Sequence, residues 1–315
     1  MTQKVVLAGG SGFVGQSLAP LLRSAGYEVT ILSRTPRPEM RGVVSLAWDG
    51  KNPGDWTKSL EGAAAVVNLA GRSINCRHTP ENRRSILESR VNAVRVLGRA
   101  VAQAAQPPAA FVQASAVGLY GDTSDRPCDE EAPYGTDFMA RVCLEWETAF
   151  NAIPAPATRK VTLRLGVVLG TEGGFLPVVA KLTRWFLGGH AGSGRQYISW
   201  IHMADLTGMF LQGIEASEMT GVFNATSPHP MTNAGFMRQL RHTLHRPWSP
   251  PVPELAVRLG SCLLGTEASL ALTSQRVVPR NFIARCFPFQ FSDLHTALEN
   301  LLDANGGSQR NAAMR

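Results

Sequence analysis

The chain has 315 residues, of which 44% are hydrophobic and 17% are charged, and its net charge is +7. This composition excludes an intrinsically disordered chain, and the lack of an apolar run of about 18 residues excludes a transmembrane helix. The positive charge comes from 26 arginines and 5 lysines, which do not form the aromatic-interleaved basic stripe of a nucleic-acid-binding protein. Five cysteines without a Cys-x-x-Cys pair fit neither a disulfide framework nor a zinc site. With no signal-peptide pattern, they predict a cytoplasmic protein.

Short apolar runs alternate with helical patterns through the first half of the chain. Strands are predicted over 5–8, 28–32, 43–47, 64–69, 110–114 and 161–165, and helices over 13–25, 80–105 and 137–151. Thr79 and Pro80 are suited to the N-cap and the first position of the second helix. This alternation predicts an α/β fold with a doubly wound parallel sheet that is covered by helices on both faces.

The pattern is less regular after residue 170, where glycine-rich loops separate short elements. One helix is predicted to begin at Asp205, with that residue as its N-cap, and another to run over 233–245. We expect one domain over 1–170 and a smaller C-terminal lobe over 171–303 that interleaves with it. Residues 304–315 are small and polar, and we expect them to form a flexible tail.

A glycine-rich turn follows the first predicted strand and has glycines at positions 9, 12 and 15. Gly9 allows a tight turn out of the strand, and Gly12 lets backbone N–H groups approach a pyrophosphate. Gly15 permits close packing of the following helix, whose positive N-terminal end attracts an anion. The strand before this turn and the helix after it predict a dinucleotide-binding loop.

The residues after the second strand indicate which dinucleotide is bound. An acidic residue there would accept hydrogen bonds from the ribose hydroxyls of NAD, but this chain has Ser33 and Arg34. A guanidinium can hold a 2′-phosphate that a carboxylate would repel. The sequence therefore predicts NADP(H) rather than NAD(H).

These motifs resemble those of the extended and atypical short-chain dehydrogenases/reductases. Longer stretches narrow the resemblance to the epimerase-family proteins with a C-terminal domain of unknown function, within the NAD-dependent epimerase/dehydratase superfamily. The shared stretches include 67–71, 163–169, 192–196, 200–202 and 251–253. The resemblance implies a Rossmann-like NADP-binding domain with a substrate-side lobe. It also implies cofactor contacts from Gly9, Gly12, Phe13, Val14, Gly15, Ser33, Arg34, Leu69, Ala70, Gly71, Arg90 and Val168.

The proton-transfer machinery of that superfamily is missing. Its usual Tyr-x-x-x-Lys pair occurs nowhere, because none of the four tyrosines is followed by a lysine at the fourth position. Tyr120 and Ser115, near the end of the fifth strand, are the remaining catalytic candidates, and only the tyrosine could donate a proton. The alternative is a packed tyrosine and a structural hydroxyl at these positions.

Substrate contacts are predicted in the second half. Arg195 and Gln196, in a glycine-rich loop, could bind an anionic small molecule, unless this loop is simply exposed surface. His202 either lines the same pocket or packs beside Trp200. No spacing of histidines, cysteines and acids suggests a metal site.

Two functions are therefore considered for the chain. The first is an NADP(H)-dependent oxidoreductase or epimerase that acts on a small or nucleotide-linked substrate. The second is a non-catalytic NADP(H)-binding sensor or interaction protein, a class that fits the cell-division label some relatives carry. For either function we expect a monomer or homodimer with no nucleic-acid or membrane partner.

Overall fold

The computed structural model describes residues 3–36 and 42–302, so the predicted tail over 304–315 lies outside the described residues. The strands are β1 Lys4–Ala8, β2 Glu28–Ser33, β3 Val43–Ala47, β4 Ala65–Asn68, β5 Ala110–Ala116, β6 Arg159–Leu165, β7 Val167–Leu169, β8 Tyr197–Ile198, β9 Trp200–His202, β10 Gly221–Ala225 and β11 Met231–Thr232. The helices are α1 Phe13–Ser24, α2 Pro80–Gln103, α3 Phe138–Asn151, α4 Leu176–Arg184, α5 Met203–Glu215, α6 Asn233–Thr243, α7 Glu254–Leu264, α8 Ser269–Leu272, α9 Arg280–Ala284 and α10 over 294–302. Short 3-10 helices cover Asp55–Leu60 and Val117–Tyr120.

Seven parallel strands form the main sheet in the order β10-β6-β5-β4-β1-β2-β3. The order reverses between β1 and β4, which is the switch point where doubly wound sheets bind their ligands. β4 is buried along its whole length, as expected for a strand covered on both faces. The predicted α/β class and its doubly wound parallel sheet are confirmed.

Two pairs of helices cover this sheet. α1 packs against α5, and α2 packs against α3. Right-handed crossovers on the two sides of the switch point place these pairs on opposite faces. Thr79 caps α2 as predicted, because its side chain accepts a hydrogen bond from the backbone N–H of Asn82.

The second half of the chain contributes to the main sheet as well as to its own lobe. β10 pairs with β6, and Phe210 and Phe223 belong to the main hydrophobic core. The lobe has a core of its own around Trp200 and Phe236, with two small sheets, β7 with β9 and β8 with β11. The two halves therefore share the main core, and the lobe adds a second, smaller one.

The predicted start of α5 is wrong by two residues. The helix begins at Met203, and its N-cap is His202, whose Nδ1 accepts a hydrogen bond from the backbone N–H of Ala204 at 3.0 Å. The Asp205 carboxylate instead accepts hydrogen bonds from the backbone N–H groups of Gln290 and Phe291 at 2.7 and 3.0 Å. The carboxylate that we predicted as the N-cap of α5 therefore binds the backbone of a distant segment, and His202 caps the helix.

None of the helices in the described ranges has the length and apolarity needed to cross a bilayer.

Candidate functional site

Gly9 makes the turn out of β1 for two independent reasons. Its φ of 75° lies in the left-handed region, where side chains other than glycine are strained. A Cβ atom at this position would also lie 2.9 Å from the Cα of Ala70, which is too close. The turn thus brings the backbone after β1 directly against the backbone after β4.

Gly12 and Gly15 lie one helical turn apart but meet different surroundings. A Cβ at Gly15 would lie 2.4 Å from the carbonyl oxygen of Gly10, so this glycine allows α1 to pack against the loop rather than against a strand. A Cβ at Gly12 would meet only the carbonyl oxygen of Gly9, at 3.4 Å. Gly12 is also the N-cap of α1, and it has no side chain that could accept a hydrogen bond from the first turn. The first N–H groups of the helix, including that of Val14, therefore have no intrahelical partner. Open space in front of free N–H groups fits an anion such as a pyrophosphate.

Phe13 connects the phosphate loop to the segment after β7. Cβ atoms placed at Gly170 and Gly174 would each lie 2.9 Å from its ring, so these glycines let the segment close over the phenyl ring. Val168 lies in β7, which leads into this segment, and is half-buried. The sequence motifs did not show this contact, because about 160 residues separate its partners.

The end of β2 places Ser33 and Arg34 differently. The Ser33 hydroxyl is buried and shares a hydrogen bond of 3.0 Å with the hydroxyl of Ser11 in the phosphate loop. Arg34 is exposed next to it. Ser33 therefore joins β2 to the loop, and Arg34 presents a positive charge beside it.

The end of β4 is held by an amide network. Asn68 donates from its Nδ2 to Gln113 Oε1 at 2.9 Å and accepts, at Oδ1, from the backbone N–H of Ala70 at 3.0 Å. This contact fixes the backbone of Leu69, Ala70 and Gly71 at the edge of the sheet where the phosphate loop lies. The predicted cofactor residues after β1, β2 and β4 thus come together at one edge.

Arg90 lies beside this edge and is hydrogen-bonded to protein groups. Its Nη1 donates to the backbone oxygens of Arg72 and Ile86, both at 3.0 Å, and its guanidinium lies 5.2 Å from the ring centre of Trp146. A Cβ at Gly71 would lie 3.2 Å from the guanidinium carbon. Arg90 therefore packs against the segment after β4, next to Gly71, and its predicted contact with the cofactor stays a prediction.

A buried polar network lies where β5 and β6 end. The Arg164 guanidinium forms two hydrogen bonds with Glu147, from Nε to Oε1 at 2.9 Å and from Nη2 to Oε2 at 2.8 Å. Ser115 donates to Glu147 Oε1 at 2.6 Å. Tyr120 accepts from Arg164 Nη1 at 2.8 Å and donates to Asn224 Oδ1, also at 2.8 Å. Both catalytic candidates, Ser115 and Tyr120, are therefore buried and already hydrogen-bonded within the protein.

Burial governs proton affinities in this network. Burial raises the pKa of Tyr120 to about 12, although Arg164 and Asn224 act in the opposite direction. Burial, together with the charge of Glu147, raises the pKa of the nearby Cys143 to about 12, so its thiol is protonated and unreactive near neutral pH. Burial alone would lower the pKa of Arg164, but its hydrogen bonds and charge interaction with Glu147 outweigh burial and raise it.

The N-terminal turn of α3, where the superfamily's Tyr-x-x-x-Lys pair would lie, holds other side chains. Asp137 caps the helix by accepting a hydrogen bond from the backbone N–H of Ala140 at 2.9 Å. Met139 is half-buried, Arg141 is exposed and Cys143 is buried. Among these, only the buried thiol faces the network, and it holds its proton.

A polar cleft of about 710 Å³ opens between the loop over 192–196 and the segments of α7 and α8. Arg195 lines it and is exposed, whereas Gln196 is buried and donates from Nε2 to the backbone oxygens of Ala191 at 2.9 Å and Ala271 at 3.1 Å. Arg258 also lines the cleft but is paired with Glu254 at 2.6 Å. Arg195 is thus placed to meet a ligand, and Gln196 holds the loop in shape.

His202 is not one of the residues that line this cleft. Its ring is buried and stacks on Phe291 with 3.8 Å between ring centres. Burial lowers its pKa to about 4, so the ring is neutral at physiological pH. Of the two roles considered for His202, the packed one agrees with its position.

A phosphate loop at the switch point of a doubly wound sheet, with a serine and an exposed arginine after the second strand, defines a dinucleotide-binding protein of the Rossmann type. Residues 5–225 match the NAD dependent epimerase/dehydratase family, and residues 252–301 match a domain of unknown function, DUF1731. The chain belongs to the NAD dependent epimerase/dehydratase family.

Its relatives match over nearly the whole chain. Epimerase family protein SDR39U1 of Bos taurus is 36% identical over 305 residues, which cover 95% of this chain and 99% of the relative. Epimerase family protein YfhF of Bacillus subtilis is 35% identical over 302 residues, covering 95% and 97%. The crystal structure of human SDR39U1 with NADPH has a TM-score of 0.86 at 34% identity and covers 96% of this chain and 99% of its own. A nucleoside-diphosphate sugar epimerase from Corynebacterium glutamicum has a TM-score of 0.77 at 32% identity, covering 99% of this chain and 62% of its own.

Proposed function

We propose that the chain is an NADP(H)-dependent oxidoreductase or epimerase that acts on a small or nucleotide-linked substrate in the cytoplasm. The observation that carries the proposal is the open space at Gly12, in front of the free N–H groups of α1 and beside the exposed Arg34. A pyrophosphate fits the space in front of the N–H groups, and a ribose 2′-phosphate fits the position of Arg34. The nicotinamide would supply hydride chemistry when bound.

The substrate is assigned to the polar cleft. Arg195 is exposed there and has no carboxylate partner among the described residues, so it favours a ligand with a phosphate or carboxylate. The nucleoside-diphosphate sugar epimerase among the relatives is consistent with a nucleotide-linked ligand. Four acidic residues also line the cleft, namely Asp122, Asp125, Glu254 and Glu267, so the anionic group is assigned to Arg195 alone and the carboxylates would accept hydrogen bonds from hydroxyl groups.

Proton transfer in this enzyme does not use the superfamily's tyrosine and lysine. We assign Ser115 and Tyr120 to structure, because each hydroxyl is buried and has protein partners. A general acid or base contributes about 10²–10⁴-fold to a rate, so we expect slow turnover of common UDP-sugars.

The alternative is a non-catalytic NADP(H)-binding sensor or interaction protein. The observation that favours it is the buried network of Ser115, Glu147, Arg164 and Tyr120, which fills the position of a proton donor with groups that are mutually satisfied. Such a protein would keep its cofactor site and lack turnover.

The two candidates share a first test and differ in a second. Calorimetric titration with NADPH and NADH should give tighter NADPH binding, and equal affinities would contradict the cofactor assignment. A panel of nucleotide sugars and small carbonyl compounds should then be assayed with the protein and with an Arg195→Ala variant. Turnover that Arg195→Ala weakens mainly through KM supports the enzyme, whereas NADPH binding without any turnover supports the sensor.

A further inference from the structure

Exposed apolar side chains cluster at the C-terminal end of α4 and beside it. Trp185 is 73% exposed and Trp248 is 74% exposed, values that are unusual for tryptophan in a folded chain. We call the following set the aromatic patch: Val178, Leu182, Trp185, Phe186, Leu187 and Trp248. Together these side chains expose on the order of 700 Å², more than the roughly 300–600 Å² of the largest apolar patch on a typical monomer.

Contacts between the two segments hold the patch together. The guanidinium of Arg246 lies 5.2 Å from the ring centre of Phe186. Arg241 donates to the backbone oxygen of Gly188 at 2.6 Å. α4 also packs against α6, so Trp248, which follows α6, lies on the same side of the lobe as the end of α4.

The two chain segments that carry the patch contain basic residues and no acidic residue. Residues 173–204 and 219–253 contain no aspartate or glutamate and six lysines and arginines, so their net charge is +6. The net charge of the whole chain is +7. Five of these six positive residues flank the patch: Lys181, Arg184, Arg238, Arg241 and Arg246. None of the five forms an ion pair among the described residues. Glu299 lies on this side of the lobe and pairs with His295, whose ring contacts that of His242.

We propose that the aromatic patch and its five cations dock this protein on an anionic phospholipid bilayer as a peripheral protein. Tryptophan and phenylalanine prefer the interface between headgroups and acyl chains, and the cations would face the negative headgroups. The lack of a spanning helix, which led to the sequence prediction of no membrane partner, does not bear on binding to a bilayer surface.

Charge and shape favour the bilayer over other occupants. A second copy of this chain would place five cations against five cations, and such like-charge pairing disfavours a two-fold dimer. Trp185, Phe186 and Leu187 are consecutive and follow the end of α4, where Phe186 has a φ of 64° in the left-handed region. Three adjacent exposed apolar residues at a helix end suit insertion into a soft layer better than the spaced contacts of a helix in a protein groove.

Cosedimentation with vesicles tests the proposal. The full chain, with NADPH bound, should sediment with vesicles that contain about 30 mol% phosphatidylglycerol in phosphatidylcholine. It should stay in solution with vesicles of phosphatidylcholine alone. Binding should weaken as salt is raised, because the attraction to the headgroups is screened. The fluorescence of the exposed tryptophans should shift to shorter wavelength on binding.

Two variants with the same change in charge separate this surface from a general effect. Lys181→Glu with Arg184→Glu should lower the partition coefficient at least tenfold, an estimate based on about 1 kcal/mol for each basic residue at a bilayer surface. Arg95→Glu with Arg99→Glu, on the exposed face of α2, should leave it within about twofold. Trp185→Ser with Trp248→Ser should abolish the fluorescence shift. All of these residues are exposed, so folding and NADPH affinity should be unchanged.

Three results would overturn the proposal. The first is the absence of binding to both kinds of vesicle. The second is an equal loss of binding in the α2 control pair, which would show that only net charge matters. The third is a dimer in sedimentation velocity that Trp185→Ser with Trp248→Ser makes monomeric, which would assign the patch to a second copy. If the first result is accompanied by retention of this protein on an immobilised acidic peptide, the patch is assigned to a protein partner instead.

Discussion

Gly12 and Gly15 show how one residue type can serve binding at one position and packing at the next turn. The protein itself leaves room for a Cβ atom at Gly12, whereas it leaves none at Gly15. A glycine that the fold does not need, at the free N-terminus of a helix, indicates space reserved for a ligand.

We expect Gly12→Val to abolish NADPH binding while changing the free energy of unfolding by less than about 1 kcal/mol, because its Cβ meets only one atom at 3.4 Å. The matched control is Gly15→Ala, which should destabilise the fold because its Cβ would lie 2.4 Å from the Gly10 oxygen. Calorimetry and urea denaturation measure the two effects. Normal NADPH binding by a folded Gly12→Val protein would show that the phosphate loop has been misplaced.

Arg34 provides a second test at the scale of one residue. Replacement by alanine should weaken NADPH binding about 10–100-fold and leave NADH binding within a few-fold, since a charge-assisted hydrogen bond contributes about 1.5–3 kcal/mol. Arg99→Ala, an exposed arginine on α2, serves as the control and should change neither affinity. Equal losses for both cofactors in Arg34→Ala would mean that this residue does not contact the 2′-phosphate.

The network at the ends of β5 and β6 gives a prediction about stability. Arg164→Met should cost about 3–5 kcal/mol, because it leaves the Glu147 carboxylate buried without its partner. Tyr120→Phe should cost about 1–3 kcal/mol, because it removes one partner each from Arg164 and Asn224. Chemical denaturation measures both. If the Tyr120→Phe protein keeps its stability but loses turnover, the prediction is wrong and Tyr120 is a catalytic residue.

At the scale of the element, α5 shows how tertiary contacts decide a helix end. His202 and Asp205 are both able to cap a helix, and the strand β9 brings His202 to the end of the helix in an extended conformation. Asp205 is then available to accept two N–H groups from the segment before α10. The cap therefore depends on a contact 85 residues away in sequence.

The buried His202 should make stability depend on pH. Its pKa is about 4 in the folded protein and 6.5 in the unfolded chain, so the unfolded chain binds the extra proton in between. Stability is therefore complete above about pH 6.5 and falls as the pH is lowered towards 4, by at most about 3 kcal/mol from this group. His202→Asn keeps a good N-cap residue and should flatten this part of the pH profile.

Denaturation at several pH values between 4 and 7 measures that slope. His245→Asn is the matched control, because His245 is exposed and its φ of 51° is one that asparagine tolerates. It should leave the slope unchanged. The prediction for His202 is wrong if His202→Asn and His245→Asn show the same pH dependence as the parent protein.

At the scale of the whole molecule, the strand β10 ties the second half of the chain to the first. It pairs with β6 along five residues and completes one edge of the main sheet. Leu206, Phe210 and Phe223, all from the second half, lie in the same core as β1 and β4. The range 1–170 consequently lacks one strand of the main sheet.

We expect a fragment that ends at residue 170 to be unfolded or aggregated and not to bind NADPH. It would expose β6 and the apolar face of the sheet that α5 covers in the full chain. Circular dichroism and calorimetric titration, with the full chain as control, measure both properties. A folded fragment that binds NADPH would show that the first half is an independent domain.

The sequence by itself determined the class of the fold, six of the seven strands of the main sheet and the position of the phosphate loop. These features depend on local patterns, namely apolar runs, helix caps and glycines at fixed spacing, which a short segment carries in full. β3 begins and ends at the predicted residues, and α1 and α2 begin at the predicted residues. The exposed arginine that favours NADP(H) is also local, because it follows β2 directly.

Only the tertiary structure decided which polar side chains are buried together and which apolar ones are left exposed. Tyr120 and Asn224 are 104 residues apart, and Ser115 and Glu147 are 32 residues apart. No local sequence pattern predicts hydrogen bonds over such separations. The same holds for the aromatic patch, since Trp185 and Trp248 share a surface only after α4 and α6 have packed. Burial depends on contacts between distant segments, and the burial of Ser115 and Tyr120 is the reason we propose a structural role for both hydroxyls.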